Sequence, residues 1–171
     1  TGVQACALPI FALLSLGVVA GITAIAYQLG QTGRCLAFYG ADVARRISQA
    51  PVVEVWRLAP TGREGVLRAL SRQNASRAPG LVHLRRGLVE DANFSWPQGA
   101  PTPTRLPPGA WDVAIVFSDP EQGGATTTLV IDLPDDGFSG GALAVLGRPG
   151  RIGLGRISKG LGRWLETLPQ G

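Results

Sequence analysis

The sequence predicts an α+β fold, in which an N-terminal hydrophobic, membrane-spanning helix is followed by a small two-layer domain with an antiparallel sheet covered by two helices. Three observations support this prediction. Residues 111–133 have the pattern of a β-hairpin. Residues 11–29 carry no charged side chain. Residues 81–90 and 156–168 have helical periodicity and supply the two covering helices.

Composition divides the 171-residue chain into four segments. They are a lead-in at 1–10, a transmembrane helix at 11–30, a helical connector at 31–50 and the α+β domain at 51–171. A domain of about 120 residues is large enough to bury its own core.

The first ten residues are interpreted as a non-native lead-in. They resemble the translation of a widely used sequencing-library adapter, with Ala5 as the one difference. The alternative is a genuine lead-in to the helix that follows. On the adapter interpretation Cys6 is not native, which leaves Cys35, and no intrachain disulfide is inferred.

The apolar run at 11–29, extended by residues 8–10, reaches the length of about 20 residues that crosses roughly 30 Å of hydrocarbon as a helix. A secretory signal is the first alternative, because Ala24-Ile-Ala26 fits a small-residue cleavage site. A core helix is the second. Gly17 and Gly21 form a Gly-x-x-x-Gly pair of the kind that lets helices approach closely.

The basic residues that follow the run predict its orientation. Arg34, Arg45 and Arg46 come soon after it, and the positive-inside tendency therefore places the downstream domain in the cytoplasm. Signal cleavage would instead give a secreted or periplasmic domain.

The connector and the first strands follow from local pattern. Leu36, Tyr39, Val43 and Ile47 have helical spacing, and Pro51 ends that helix. Val52 to Leu58 is predicted as a strand, and Gly65 to Ser71 as a second strand after the turn at Pro60-Thr-Gly62.

A helix is then predicted from the stripe Leu81, Leu84, Leu88 and Val89, with His83, Arg86 and Glu90 outward. Five prolines at 97–109 predict an extended surface loop.

In the hairpin, Trp111, Val113, Ile115 and Phe117 alternate onto one face of the first strand. Thr127, Leu129, Ile131 and Leu133 share the matching face of the second. A turn at Asp135-Asp136-Gly137 precedes a third strand at Gly141 to Leu146. The last helix, Arg156 to Leu168, buries Ile157, Leu161, Trp164, Leu165 and Leu168 and exposes Arg156, Lys159, Arg163 and Glu166.

The residues that carry chemistry are few. The sequence has one histidine and two distant cysteines, too few for us to predict a metal site. It contains no recognisable nucleophile motif and no recognisable carboxylate pair that would indicate catalysis. We therefore expect no cofactor and no enzymatic activity, with His83 a solvated side chain.

One basic, glycine-rich stretch at 147–160 keeps anion binding open. Glycines ahead of a helix expose backbone N–H groups that favour a phosphate. The stretch matches neither a phosphate-binding loop nor a dinucleotide fingerprint, so a flexible connection is the competing interpretation. The candidate anion-binding residues are Arg148, Arg151, Arg156, Lys159 and Arg163.

The net charge of +4 is divided into opposed blocks, and Lys159 is the one lysine among sixteen basic residues. We interpret this usage as GC-rich, bacterial coding bias, and we do not expect nucleic acid as a partner. The sequence favours a membrane-anchored, non-catalytic interaction module, with the membrane at 11–30 and a protein as candidate partners. The alternative is an anion-binding domain, for nucleotide, nucleic acid or acidic phospholipid, that uses the basic face of the last helix.

Overall fold

The structure is a computed structural model that describes residues 7–59, 67–96, 111–133 and 141–169. The helices of the described part are α1 (Ala7–Tyr39), α2 (Ala41–Gln49), α3 (Leu81–Leu88) and α4 (Ile157–Thr167). Its strands are β1 (Val52–Ala59), β2 (Arg68–Asn74), β3 (Phe94–Ser95), β4 (Val113–Asp119), β5 (Ala125–Asp132), β6 (Ala142–Val145) and β7 (Ile152–Leu154). Single 3₁₀ turns lie at Asp91–Asn93 and Pro120–Gln122.

These strands form one antiparallel sheet in the order β2-β1-β4-β5-β6-β7-β3. The α+β class and the antiparallel sheet are therefore confirmed. The predicted hairpin is also present, because Val113 of β4 lies opposite Ile131 of β5 and Phe117 lies opposite Thr127. The two-residue alternation buries Val113, Ile115 and Phe117 completely on the face that the helices cover.

The prediction for Trp111 is wrong. This side chain joins a second buried cluster with Leu58, Ala114, Val130 and Ala144, apart from the helix-covered core. The physical reason is that β4 begins only at Val113, so the strand alternation does not extend back to Trp111.

Two short strands were not predicted. β7 lies inside the glycine-rich stretch for which the sequence left anion binding and a flexible connection open, and β3 pairs with it, Phe94 opposite Leu154. A Cβ on Gly155 would lie 2.8 Å from the carbonyl oxygen of Asn93, and one on Gly153 would lie 3.1 Å from the Cβ of Ser95. Close approach of the two strands therefore accounts for these two glycines.

The second strand was predicted at 65–71 and is observed at Arg68–Asn74. β2 is the edge strand of the sheet and most of its side chains are exposed. An edge strand with little burial lacks the alternation that locates a strand in a sequence. The pairing with β1 also shifts register between Arg57 and Leu58.

The sheet is covered by more helices than the two that were predicted. Tyr39 of α1, Ile47 of α2, Leu88 of α3 and Leu161 of α4 are all fully buried in one core cluster. The helices at 81–90 and 156–168 are confirmed. The residues of the predicted connector at 31–50 form a further part of the cover.

The predicted membrane-spanning helix at 11–30 is wrong. Within the described residues, no helix combines the length and the apolar character that crossing a membrane requires. The hydrophobic run instead belongs to the longer helix α1, whose C-terminal turns pack Cys35 and Tyr39 into the core of the sheet domain. The membrane localisation and the membrane partner that were derived from this span are corrected with it.

Several predicted features lie outside the described residues. They are the start of the lead-in at 1–6, the turn at 60–62, the proline-rich loop at 97–109 and the turn at 135–137.

Candidate functional site

The most unusual surface of the described chain is the part of α1 at residues 13–24, called the apolar arm below. Every side chain in it is exposed. Six of these are large apolar groups, and they are 57% to 69% exposed: Leu13, Leu14, Leu16, Val18, Val19 and Ile22. Each residue of a helix is turned by about 100° from the one before, so these six point in all directions around the axis. A helix that is apolar on every side is normally buried.

The arm has few polar side chains that would lose hydrogen bonds to water against an apolar neighbour. The Oγ1 hydroxyl of Thr23 donates to the carbonyl oxygen of Val19 at 2.8 Å, within the helix. Gly17 and Gly21 lie one turn apart, and a Cβ added to either would meet nothing within 4 Å. A second helix backbone has room to approach closely along this strip.

Asp91 holds α1 to the domain at the point where the helix becomes buried. Its carboxylate accepts hydrogen bonds from the backbone N–H of Arg34 at 2.9 Å and of Cys35 at 2.7 Å. Trp96 in turn donates its Nε1–H to the carbonyl oxygen of Asp91 at 2.8 Å. Asp91 therefore ties the C-terminal part of α1 to the turn that precedes β3.

The side chains of Cys35, whose backbone N–H bonds to Asp91, and of Tyr39, one turn further along α1, are fully buried. Burial raises the pKa of the Cys35 thiol, and a hydrogen bond to Asp91 together with the charges of Asp91 and Glu90 raises it further. Burial likewise raises the pKa of Tyr39. A thiol that is held protonated is a poor nucleophile, and the Cys35 side chain packs in the buried core.

The five predicted anion-binding residues do not all lie on the same part of the structure. Arg156, Lys159 and Arg163 are exposed and share the outer face of α4, and Arg151 is exposed just ahead of β7. Arg148 is engaged elsewhere, because its Nη1 donates to the carbonyl oxygen of Tyr39 at the end of α1. Binding of an anion by these five residues stays a prediction.

Gly40 explains why Arg148 reaches that carbonyl. This glycine has a φ of 74°, in the left-handed region, and a Cβ there would lie 2.8 Å from Nη1 of Arg148. It therefore allows both the sharp turn between α1 and α2 and the approach of the guanidinium.

Sequence reasoning missed a basic cleft between the end of α2 and α3. Its volume is about 590 Å³, and Arg85 and Arg86 both line it. Arg85 donates from Nη1 to the carbonyl oxygen of Ser48 at 2.9 Å and from Nη2 to that of Ala50 at 2.5 Å. The Arg-Arg pair is visible in the sequence, but its partners lie more than 30 residues away, so no local pattern reveals the cleft.

Within the described residues, no group of three or more His, Cys, Asp or Glu side chains is placed to hold a metal ion. His83 is exposed on α3, as its position in the helix predicted.

Comparison of the chain with protein-family models, with curated proteins and with solved structures finds no match.

Proposed function

We propose that this chain is a non-catalytic interaction module that associates with other protein helices through the apolar arm, in the first place with the arms of further copies of the same chain. The observation that carries the proposal is the exposure of large apolar side chains on every side of residues 13–24. Exposed apolar patches of this kind are typical of protein interaction sites.

The magnitude of the apolar burial favours an assembly larger than a pair. Complete burial of one Leu, Val or Ile contributes about 1.5–3 kcal/mol, so the exposed portions of the six large side chains offer about 6–11 kcal/mol. One neighbouring helix covers about half of the circumference of the arm, so its contact contributes about half of that free energy. Association costs about 4–15 kcal/mol, so we expect several arms to pack as a bundle.

Sedimentation velocity of the full chain over a range of concentrations tests this proposal. We expect assemblies larger than a dimer, and we expect Val18→Glu to dissociate them because a carboxylate in an apolar bundle is costly to bury. Val82→Glu is the matched control, since Val82 is 78% exposed on α3, away from the arm. A wild-type chain that stays monomeric at every concentration, or equal effects of the two variants, contradicts the proposal.

Anion binding by α4 is the second candidate, and the exposure of Arg156, Lys159 and Arg163 on one helical face favours it. Its test is titration with a nucleoside triphosphate at two salt concentrations. Binding through guanidinium and ammonium groups falls steeply with added salt, whereas association through apolar arms does not. Failure of the triple change to Gln to weaken the binding excludes this candidate.

A further inference from the structure

The cleft between α2 and α3 has the size of a small-molecule site. Its volume of about 590 Å³ lies inside the range of roughly 300–1,000 Å³ that is typical of ligand pockets. The wall combines apolar side chains, among them Leu81, Val82 and Val89, with the two guanidinium groups of Arg85 and Arg86.

Arg85 is only partly satisfied in this cleft. Its two terminal nitrogens donate to Ser48 and Ala50 at the C-terminal end of α2, where carbonyl oxygens lack helical partners. Its Nε–H is buried and has no hydrogen-bond partner among the described residues. Burial also lowers the pKa of Arg85, which reflects the cost of removing a cation from water.

Neither arginine of the cleft is neutralised by a carboxylate of the described chain. Asp42, an acid at the start of α2, pairs instead with Arg45 at 4.0 Å on the exposed side of that helix. Glu90, the nearest acid after Arg86 in the sequence, accepts instead from the side-chain amide of Asn93 at 3.3 Å. Among the described residues, these two adjacent cations beside an open cleft therefore lack a counter-charge.

The hydroxyl groups of the cleft are already engaged. Ser48 donates to the carbonyl oxygen of Ala44 at 2.9 Å, and Ser76 accepts from the backbone N–H of Val53 at 2.9 Å. Recognition in the cleft is thus left to the guanidinium groups, the side chain of Gln49 and the apolar wall.

We propose that this cleft binds a small organic oxyanion, a carboxylate or a phosphate that carries an apolar group. The exposed guanidinium of Arg86 binds the anionic oxygens through charge-assisted hydrogen bonds, and the positive charge of Arg85 beside it adds to the attraction. The apolar part of the ligand lies against Leu81, Val82 and Val89. This site is separate from the apolar arm and from the basic face of α4.

Isothermal titration calorimetry of the full chain with four probes tests the proposal and distinguishes a carboxylate ligand from a phosphate ligand. The probes are hexanoate, acetate, phenyl phosphate and inorganic phosphate. We expect saturable binding of hexanoate or phenyl phosphate, at least ten times tighter than that of the matching probe without an apolar group. Preference for hexanoate assigns a carboxylate, and preference for phenyl phosphate assigns a phosphate.

Arg86→Gln is the informative variant, because Arg86 makes none of the contacts that hold the end of α2, whereas Arg85→Gln removes those contacts and tests folding as well. We expect Arg86→Gln to weaken binding about tenfold or more, while Arg68→Gln at the exposed start of β2 leaves it unchanged. No saturable binding of any probe overturns the proposal. Equal weakening by Arg86→Gln and Arg68→Gln, or equal affinity for probes with and without the apolar group, overturns it too.

Discussion

At the scale of single residues, Asp91 determines how the apolar arm meets the domain. We expect Asp91→Ala to lower the free energy of unfolding by about 2 kcal/mol, because hydrogen bonds from two backbone N–H groups to a charged acceptor are lost. Asp42→Ala is the control, since its ion pair with Arg45 is exposed and contributes little. Urea unfolding measures both, and an Asp91→Ala chain as stable as the Asp42→Ala chain contradicts this role.

Cys35 and Tyr39 give the fold a sensitivity to alkaline pH. Burial raises both pKa values above their ordinary values of 9.0 and 10.0, so the folded chain keeps protons that the unfolded chain releases. Stability is then complete below pH 9 and falls as the pH rises above it, by up to about 1.4 kcal/mol per pH unit for each group. Urea unfolding between pH 7.5 and 10.5 measures this slope. Cys35→Ala should reduce the slope, and an unchanged slope contradicts the assignment.

At the scale of elements, α4 is fixed by Trp164, whose burial the helical pattern predicted correctly. The ring is 8% exposed, and its Nε1–H donates to the carbonyl oxygen of Pro79 at 3.0 Å, just before α3. We expect Trp164→Ala to cost about 3–5 kcal/mol in urea unfolding, as for other buried aromatic residues. Trp56→Ala should cost less, because Trp56 is half-buried beneath Arg72. A loss below about 1 kcal/mol for Trp164→Ala would show that α4 is held by other contacts.

Elements with a sustained period were predictable from the sequence. The hairpin of β4 and β5 has seven and eight residues of β-rich sequence on either side of a short turn, and α3 and α4 repeat their apolar residues every three or four. β3 and β7 have two and three residues, too few to show a period. The all-round apolar pattern of the arm led to the prediction of a membrane span, which the structure contradicts, because composition alone does not show that the helix continues into the core of the sheet domain.

The candidate sites were harder to predict than the elements. Asp91 binds α1 across 56 and 57 residues of sequence, and Arg85 reaches α2 across 35 and 37. Such contacts depend on how elements pack, and no local spacing encodes them. The basic residues of α4 were found because they repeat on one helical face.

At the scale of the whole molecule, the core of the sheet domain extends upstream of residue 51. Tyr39 and Ile47 are fully buried against it. We therefore expect a fragment of residues 51–171 to be several kcal/mol less stable than a fragment of residues 31–171, as each large buried side chain contributes about 1.5–3 kcal/mol. Circular dichroism with urea unfolding compares the two fragments. Equal stabilities would show that α2 and the end of α1 add nothing to the core.

The fragment that starts at residue 31 also separates the folding of the sheet domain from the association of chains through the arm. It retains the helices that cover the sheet and lacks the apolar arm at 13–24. We expect it to fold and to remain monomeric at concentrations where the full chain associates. Association of this fragment to the same extent as the full chain would place the interaction surface on the sheet domain.

Cross-linking through the arm is a direct test of whether the arms of several copies pack together. Ile22→Cys in a Cys6→Ala chain places a thiol on the arm, while Cys35 stays buried. Val82→Cys in the same background is the control, because Val82 is also exposed but lies on α3. If the arms pack together, mild oxidation gives disulfide-linked chains for Ile22→Cys and few for Val82→Cys. Equal cross-linking of the two variants, or none in either, would contradict it.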